Sequence, residues 1–409
     1  MRVILVALAL ASPALADPAL NGDVPVEQAG GHMAGTGDAA GFRDWLDGFR
    51  DRALAAGIAP ATLDALDGLA FDPAIVDKDR NQSEFTKTIW VYLDSAASDD
   101  RVAAGLRALA AHRALFDRIE AAYGVEREVV AAIWGLESAY GTFRGDIPTL
   151  GALASLAYDG RRGAFFEAQL VEALKIVQAG HVTPADMRGS WAGAMGHTQF
   201  MPSSFWRFAV DFDGDGRRDI WGDDPADALA SAAAYLAGSG WVKGMPWGLE
   251  VRLPEGFDYA QSTERVKKPV ADWRAMGVRT ADGGDLPDHG MASVLLPAGH
   301  RGAAFLIFAN FQVIESYNVA DAYVIGVGHL SDRLKGGAPI RAGWPREDRA
   351  LTRDERLELQ RLLSARGYDT GGVDGLMGPK TIAAVKAWQL AEGLVPDGYA
   401  NPQLLERLR

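Results

Sequence analysis

The sequence predicts a mainly α-helical protein with a small β-containing part and a small three-helix module at its C-terminus. Apolar residues recur at helical spacing from Phe42, and Ala-rich helical segments follow. Residues 249–311 instead carry short apolar runs between turns, which is typical of strands, and helical character returns at 320–334. The Pro- and Gly-bearing residues 336–348 are predicted to be a linker to the C-terminal module, residues 349–409.

The N-terminus has the features of a secretory signal peptide over residues 1–16. A basic start at Met1-Arg2 precedes an apolar run too short to cross a membrane, and a small-x-small site ends at Ala16. The polar, Gly-rich residues 17–40 are predicted to be a flexible lead-in. Because the chain has no cysteine, we expect neither disulfides nor a lipid anchor on a thiol. These features predict a soluble protein of the bacterial periplasm that is exported and not lipid-anchored.

Some element boundaries can be predicted more closely. Ala-rich periodicity predicts helices over 101–116 and 165–179. Thr183 followed by Pro184 has the N-cap-then-proline signature of a helix start. The apolar runs with strand character are 294–296 and 305–308.

The C-terminal module contains three helix signals. Thr352 and Glu355 have capping-box spacing before a leucine-rich segment, and Gly367 is placed to end that helix. Two similar turn-plus-helix pieces follow, starting at 373–375 and 396–398. This weak internal repeat predicts a compact module of three helices.

Charge and composition limit the classes of partner. The formal net charge of −13 at pH 7 argues against nucleic acid as a partner and gives no attraction to anionic membranes. After the N-terminal run, no stretch is long and apolar enough to form an integral membrane segment. The 11 tryptophans and 10 tyrosines fit stacking on sugar rings, although most aromatics in proteins are core residues.

Glu137 interrupts an apolar helical face. Residues 125–141 are predicted to form a helix with its charges in the first turn and a glycine stop at Gly141. Helical spacing places on the face of Glu137 the residues Val130, Ile133, Trp134 and Tyr140. Burial there without a cation would raise the pKa of the carboxyl and keep it protonated near neutral pH, as a general acid requires. A salt bridge to an arginine, or a place along a solvent edge, explains the same pattern equally well.

Residues 190–204 are dense in small residues and allow a ligand to approach the backbone closely. Gln199, with the hydroxyls of Ser203 and Ser204, offers neutral hydrogen-bonding groups. The alternative is a turn between helices, in which Pro202 and the two serines cap the next helix. From composition alone that alternative is favoured.

An acidic loop resembles the front of a calcium-binding EF-hand loop. Carboxylates stand at its positions 1, 3, 5 and 9, and Gly216 at position 6 permits a sharp turn. Gly222 stands at position 12, where a bidentate Glu is usual, so an acidic residue beyond it would have to supply the last ligand from an altered loop. The predicted ligands of a structural Ca²⁺ are Asp211, Asp213, Asp215, the carbonyl of Arg217, and Asp227. The alternative is an acidic surface turn.

Taken together, these segments resemble the lytic murein transglycosylase B family (glycoside hydrolase family 103), exported bacterial enzymes that cleave peptidoglycan glycan strands. The resemblance covers most of residues 40–335 in consistent order. It rests on Glu137-Ser138-Ala139-Tyr140-Gly141, Ala192-Gly193-Ala194-Met195-Gly196, Gln199-Phe200-Met201-Pro202-Ser203-Ser204, the acidic loop, Tyr317-Asn318 and Tyr323. The tail is similar to a common peptidoglycan-binding helical module through Asp374-Gly375, Gly378, Thr381, Ala384-Val385 and Trp388-Gln389.

The resemblance implies a lysozyme-like catalytic domain over 41–335 and a single catalytic carboxylate, Glu137. Such an enzyme is a carbon–oxygen lyase that cleaves the β-1,4 bond between N-acetylmuramic acid and N-acetylglucosamine and forms 1,6-anhydro ends. No cofactor is required for the chemistry. The partner would be peptidoglycan glycan strands, and the protein a monomer. The residues that the family pattern places at the substrate are Ser138, Tyr140, Gln199, Phe200, Tyr317, Asn318 and Tyr323.

Two points depart from the family pattern or lie outside it. Gly222 and Asp223 are two extra residues before Asp224, which leaves the last calcium ligand uncertain. His197 could serve as a base, but the pattern tolerates other residues there, so we interpret it as a bystander. Alternative functions are a muramidase that hydrolyses the same bond and a non-catalytic wall-binding scaffold.

Overall fold

The computed structural model describes residues 39–80 and 87–409. The predicted signal peptide, residues 1–16, and nearly all of the predicted lead-in, residues 17–40, lie outside the described residues. The first helix begins at Ala39, three residues before the periodicity that starts at Phe42. Among the described helices, none combines the length and the apolar character needed to cross a membrane.

Helices dominate the described residues, as the sequence predicts. The first ten are α1 (Ala39–Ala55), α2 (Pro73–Arg80), α3 (Ile89–Ala96), α4 (Asp99–Ala111), α5 (Arg113–Tyr123), α6 (Arg127–Ser138), α7 (Thr149–Asp159), α8 (Gly163–Gln178), α9 (Pro202–Phe208) and α10 (Ala226–Gly238). They are followed by α11 (Val270–Ala275), α12 (Ala309–Tyr317), α13 (Asp321–Leu334), α14 (Arg353–Ala365), α15 (Pro379–Ala391) and α16 (Pro402–Leu408).

The strands form two antiparallel sheets. They are β1 (Ile147–Pro148), β2 (Arg188–Gly189), β3 (Gly248–Arg252), β4 (Lys268–Pro269), β5 (Arg279–Thr280), β6 (Met291–Leu295) and β7 (Ala304–Ile307). β1 pairs with β2, and the other strands form one sheet in the order β4-β6-β7-β3-β5. The β-containing part predicted for residues 249–311 is therefore confirmed.

The described residues divide into two compact units. The first contains the described parts of Met1–Gln82, Asp99–Trp241 and Ser316–Val319, and the second those of Ser83–Ser98, Val242–Glu315 and Ala320–Arg409. The predicted boundaries at 335 and 349 remain predictions, since the second unit includes both the five-stranded sheet and the C-terminal helices.

In the first unit, α6 is the central helix. It packs against α4, α5 and α10. All residues from Val129 to Ser138 are buried, so the whole circumference of the helix is covered and not only the face predicted from the sequence. A helix that is apolar almost all round is expected in such a central position.

In the second unit, the sheet encloses its own core around Trp273, which is fully buried. The C-terminal helices have a separate core that includes Leu359, Val385 and Trp388. Thr352 and Glu355 form the predicted capping box at the start of α14, which stabilises a helix by about 1 kcal/mol. The predicted three-helix module is confirmed.

The C-terminal module packs against the β-containing part of the same unit. Lys386 Nζ donates to the carbonyls of Ser262 at 2.6 Å and Tyr259 at 3.0 Å. Asp397 Oδ2 accepts from the backbone N–H of His300 at 2.9 Å. These buried and half-buried polar contacts join α15 and the turn before α16 to the loops of the sheet.

Two local predictions are wrong. The helix predicted over 101–116 is broken at His112, because α4 and α5 pack separately on α6, although no Pro or Gly marks the break. The helix predicted to start at Thr183 makes one turn only. Thr183 Oγ1 does accept from Asp186 N at 3.2 Å, but the pairing of Arg188 with Pro148 then takes the chain into β2.

Candidate active site

Glu137 lies in the last turn of α6 and is 5% exposed. A carboxyl in such a place has lost most of its hydration. A place along a solvent edge, one of the alternatives that the sequence left open, does not fit this burial.

The turn after Glu137 folds the chain back on its own helix. Ala139, Tyr140 and Gly141 all have left-handed backbone angles, with φ of 49°, 59° and 82°. The Tyr140 ring covers Gly135, where a Cβ would lie only 2.6 Å from the ring. Its hydroxyl donates to the carbonyl of Arg101 at 3.0 Å. Two consecutive non-glycine residues in this region store strain of about 1–3 kcal/mol each, which is typical of functional sites.

Ser138 is 1% exposed, and its hydroxyl is used within the protein. It donates to the carbonyl of His197 at 2.6 Å and accepts the N–H of Gly141 at 3.0 Å. Burial raises the pKa of the Tyr140 phenol. Ser138 and Tyr140 therefore shape the end of α6, and their predicted contacts with substrate remain predictions.

Residues 190–204 form a tight buried loop in front of α9. Met195 and Phe200 exchange backbone hydrogen bonds at 2.8 and 3.0 Å across a turn in which Gln199 has a φ of 51°. The Gln199 amide donates to the carbonyls of Arg144 at 3.0 Å and Gly196 at 2.8 Å. Pro202 is the first residue of α9. The segment is thus a turn before a helix, as the alternative interpretation held, and it also fixes the Gln199 side chain.

Among the predicted substrate-binding residues, Tyr317 interacts electrostatically with Glu137. Burial raises the pKa of the Tyr317 phenol well above its usual value, and the negative charge of Glu137 adds to the effect. The Tyr317 hydroxyl donates to the carbonyl of Thr198 at 2.5 Å. Its ring centroid lies 5.9 Å from that of Phe200. The structure thus brings together Glu137, Phe200 and Tyr317, with Asn318 buried next along the chain.

Tyr323 belongs to the second unit, where it lies on α13 and is fully buried. Its predicted contact with substrate remains a prediction.

Comparison with known proteins identifies the family. Residues 41–332 match the family model described as the transglycosylase SLT domain. The chain belongs to this transglycosylase family. Residues 352–408 match the model described as a putative peptidoglycan binding domain. The predicted resemblance, and with it the lysozyme-like helical fold, is confirmed.

Several members of the family are similar to this chain. Membrane-bound lytic murein transglycosylase B of Escherichia coli is 35% identical over 219 residues, which are 52% of this chain and 58% of that protein. SltB3 from Pseudomonas aeruginosa, solved in complex with NAG-anhNAM-pentapeptide, is 51% identical with a TM-score of 0.88 and covers 91% of this chain and 100% of its own. Escherichia coli Slt35, solved in complex with calcium, is 27% identical with a TM-score of 0.61 over 73% of this chain and 93% of its own.

The acidic loop of this transglycosylase-family chain gathers three of the predicted metal ligands. Carboxylate oxygens of Asp211, Asp213 and Asp215 lie within 4.8 Å of one another and are exposed. Backbone N–H groups fold the loop around them, with Gly216 N donating to Asp211 Oδ2 at 2.9 Å. Oxygen atoms from exposed carboxylates, held this close, are the ligand set that hard cations prefer.

Asp227 is buried beneath the loop and not part of that exposed group. Its carboxylate accepts from Phe212 N at 2.7 Å and from Asp219 N at 2.8 Å, which ties the two ends of the loop together. Burial raises the pKa of Asp227, and these N–H donors oppose that rise. Asp227 therefore braces the loop, and its role as a metal ligand, like that of the Arg217 carbonyl, remains a prediction.

His197 and Arg144 form a hydrogen-bond network that the sequence did not predict. Trp134 Nε1–H donates to His197 Nδ1 at 3.1 Å, and His197 Nε2 lies 2.7 Å from the carbonyl of Gly222. Arg144 donates to that same carbonyl at 2.5 Å and to Asp223 at 2.9 Å. These partners lie far apart in the chain, so periodicity and spacing carry no signal for them.

Proposed function

We propose that this protein is an exported lytic transglycosylase that cleaves the β-1,4 bond between N-acetylmuramic acid and N-acetylglucosamine in peptidoglycan. The observation that carries the proposal is a single carboxyl, Glu137, buried at the end of the central helix of a transglycosylase-family domain. The similarity to SltB3, which binds a ligand with an anhydro-muramic unit, supports the reaction type. The predicted peptidoglycan-binding module supports the polymeric substrate.

In the proposed mechanism, Glu137 acts first as a general acid. Its protonated carboxyl donates to the oxygen that links the two sugars, so the bond to the muramic anomeric carbon breaks and N-acetylglucosamine leaves. The burial of Glu137 serves this step, because it keeps bulk water away from the carboxyl that transfers the proton.

Glu137 then acts as a general base. The carboxylate takes the proton from the muramic C6 hydroxyl, whose oxygen attacks the anomeric carbon and closes the 1,6-anhydro ring. Glu137 ends protonated, and no water is consumed. Between the two steps the sugar's own N-acetyl group stabilises the positive anomeric carbon, as in substrate-assisted glycosidases, so a second carboxylate is not needed.

The neutral side chains of the predicted substrate site fit a supporting role. Tyr317 and Gln199 are held by backbone hydrogen bonds and add no charge that would oppose the cationic anomeric carbon or drive the ionisation of Glu137. We propose that these residues, with Phe200 and Asn318, line the substrate site. The C-terminal module would hold the enzyme on its polymer in the periplasm.

The product of the reaction tests this proposal. We expect digestion of purified peptidoglycan to release muropeptides whose muramic end is one water lighter than a hydrolysed end, because ring closure replaces attack by water. Mass spectrometry of the products measures this. Hydrated muramic ends alone would show a muramidase, and intact strands would show a non-catalytic wall-binding protein.

We also propose that the acidic loop binds a structural Ca²⁺ through Asp211, Asp213 and Asp215, whose exposed oxygens fit a hard cation. Bound there, the ion would neutralise the mutual repulsion of the carboxylates and hold the loop, and it has no part in the chemistry of Glu137. Similarity to Slt35, solved with calcium, supports the site.

Calcium should therefore raise the melting temperature. Binding to the folded state alone stabilises it by about 2.7 kcal/mol when calcium is at one hundred times its Kd. Differential scanning fluorimetry with millimolar calcium measures the shift. Asp213→Asn should lose it, whereas Asp117→Asn, an exposed aspartate on α5 outside the loop, should keep it. If calcium left the melting temperature of the wild type unchanged, the acidic loop would not be a calcium site.

A further inference from the structure

His197 contacts the helix that carries Glu137 on both sides of that residue, through its ring on one side and its backbone carbonyl on the other. Trp134, three residues before Glu137, donates its indole N–H to His197 Nδ1 at 3.1 Å. Ser138, directly after Glu137, donates its hydroxyl to the His197 carbonyl at 2.6 Å. Residues three apart on a helix are neighbours on its surface, so Trp134 and Glu137 share one face.

The glycine of the Glu137 motif makes room for the His197 ring. A Cβ on Gly141 would lie 2.7 Å from His197 Cε1 and Nδ1. The loop of residues 190–204 and the turn that ends α6 therefore interlock at this imidazole, which is 3% exposed.

The hydrogen bonds define one protonation state of His197. The indole N–H of Trp134 can only donate, so Nδ1 must accept and carries no proton. The proton then lies on Nε2, which donates to the carbonyl of Gly222 at 2.7 Å. Burial lowers the pKa of His197. The hydrogen bond to the Gly222 carbonyl raises the pKa and the nearby Arg144 guanidinium lowers it, and the net effect is a lowered pKa that favours the neutral ring. The lone pair on Nδ1 accepts the indole N–H, so the ring has no free lone pair with which to act as a base.

We propose that neutral His197 is a positioning residue for Glu137, which fixes the last turn of α6 through Trp134 and ties that turn to the backbone at Gly222. It touches no reacting atom and acts through the helix. The inference rests on the proposed function, because it assigns a role in placing the acid–base of that reaction. Small displacements of a catalytic group cost much rate, so the role should show in kcat and not in KM.

A matched pair of variants separates the two hydrogen bonds of the ring. In His197→Asn the side-chain oxygen takes the place of Nδ1, so the acceptor for Trp134 is kept and the donor to Gly222 is lost. In His197→Gln the amide nitrogen takes the place of Nε2, so the donor to Gly222 is kept and the acceptor for Trp134 is lost.

We expect His197→Gln to lower kcat on the order of 10-fold or more with KM unchanged, and His197→Asn to stay within about 3-fold of the wild type. The Trp134 bond is read independently by fluorine NMR of protein labelled with 5-fluorotryptophan, with Trp134→Phe assigning the resonance. His197→Gln should move that resonance and His197→Asn should leave it in place.

The two readouts distinguish the failures. If the wild type leaves glycan strands intact, the proposed function is wrong. The fluorine resonance still shows in that case whether the hydrogen bond between Trp134 and His197 forms. A wild type that cleaves, with His197→Gln at wild-type kcat, defeats the positioning role alone. Equal loss of kcat in both variants would also overturn it, since the Trp134 bond would then not be the determining contact. If His197→Gln does not fold, Trp134→Phe removes the same bond from the other side and should lower kcat likewise.

Discussion

Replacing Glu137 with glutamine should abolish nearly all glycan cleavage while leaving the fold intact. Glutamine has the size of glutamate, so the packing at the end of α6 is kept. It cannot donate an acidic proton or take one back. General acid–base catalysis contributes on the order of 10²–10⁴-fold to a rate, and Glu137 would act in both steps. We therefore expect kcat to fall on the order of 10³-fold or more, measured by chromatography of the muropeptides released from purified peptidoglycan.

A matched control lies on the same helix. Glu128→Gln makes the identical change in the first turn of α6, where Glu128 contacts Arg127 at 3.3 Å and not the candidate site. That variant should cleave at close to the wild-type rate, and both variants should melt within a few degrees of the wild type. If Glu137→Gln kept a tenth or more of the wild-type kcat, the carboxyl would not be the acid–base.

The pH profile provides a second check on the same residue. The acid must be protonated to begin the reaction, so the wild-type kcat should fall as the pH rises through the ionisation of Glu137 in the complex. The residual rate of Glu137→Gln should lack that fall, because the variant has no carboxyl to titrate there.

Local patterns explain which parts of the fold were predictable. Apolar periodicity located the helix that carries Glu137 and the helix after Tyr317, and capping residues located the start of α14 at Thr352. These signals come from residues close together in the chain. The break at His112 and the strand entry after Thr183 were missed because packing against distant segments determines both.

The same distinction applies to the site. Glu137 stood out because its own neighbours are apolar, and Tyr317 followed from a family motif. The sequence placed Tyr140 at the substrate. It gave no sign that the left-handed backbone angles of Ala139 and Tyr140 would turn the Tyr140 ring back onto Gly135 of α6. The contacts of His197 with Trp134 and Ser138 join segments about 60 residues apart, for which one sequence holds no signal.

The second large effect is expected at Gly196, in the tight loop before α9. Its φ is +69°, and a Cβ there would lie 2.1 Å from the carbonyl oxygen of Ile220. Because that atom is backbone, it cannot rotate away, and the loop that fixes Gln199 would have to move. Gly196→Ala should therefore lower the free energy of unfolding by about 3 kcal/mol or more, and glycan cleavage should fall with the displaced loop.

A control at Gly180 separates the cost of the left-handed backbone from the cost of the steric clash. Gly180 follows α8 with a φ of +78°, and a Cβ there would meet nothing within 4 Å. Gly180→Ala therefore carries only the cost of a left-handed alanine, about 1–2 kcal/mol. Urea unfolding measures the free energy of unfolding of both variants. The additional loss in Gly196→Ala is the cost of the clash between the new Cβ and the Ile220 carbonyl. Equal losses in the two variants would mean that the loop relaxes freely around a side chain. The rigidity of the loop could then not be what fixes the Gln199 side chain.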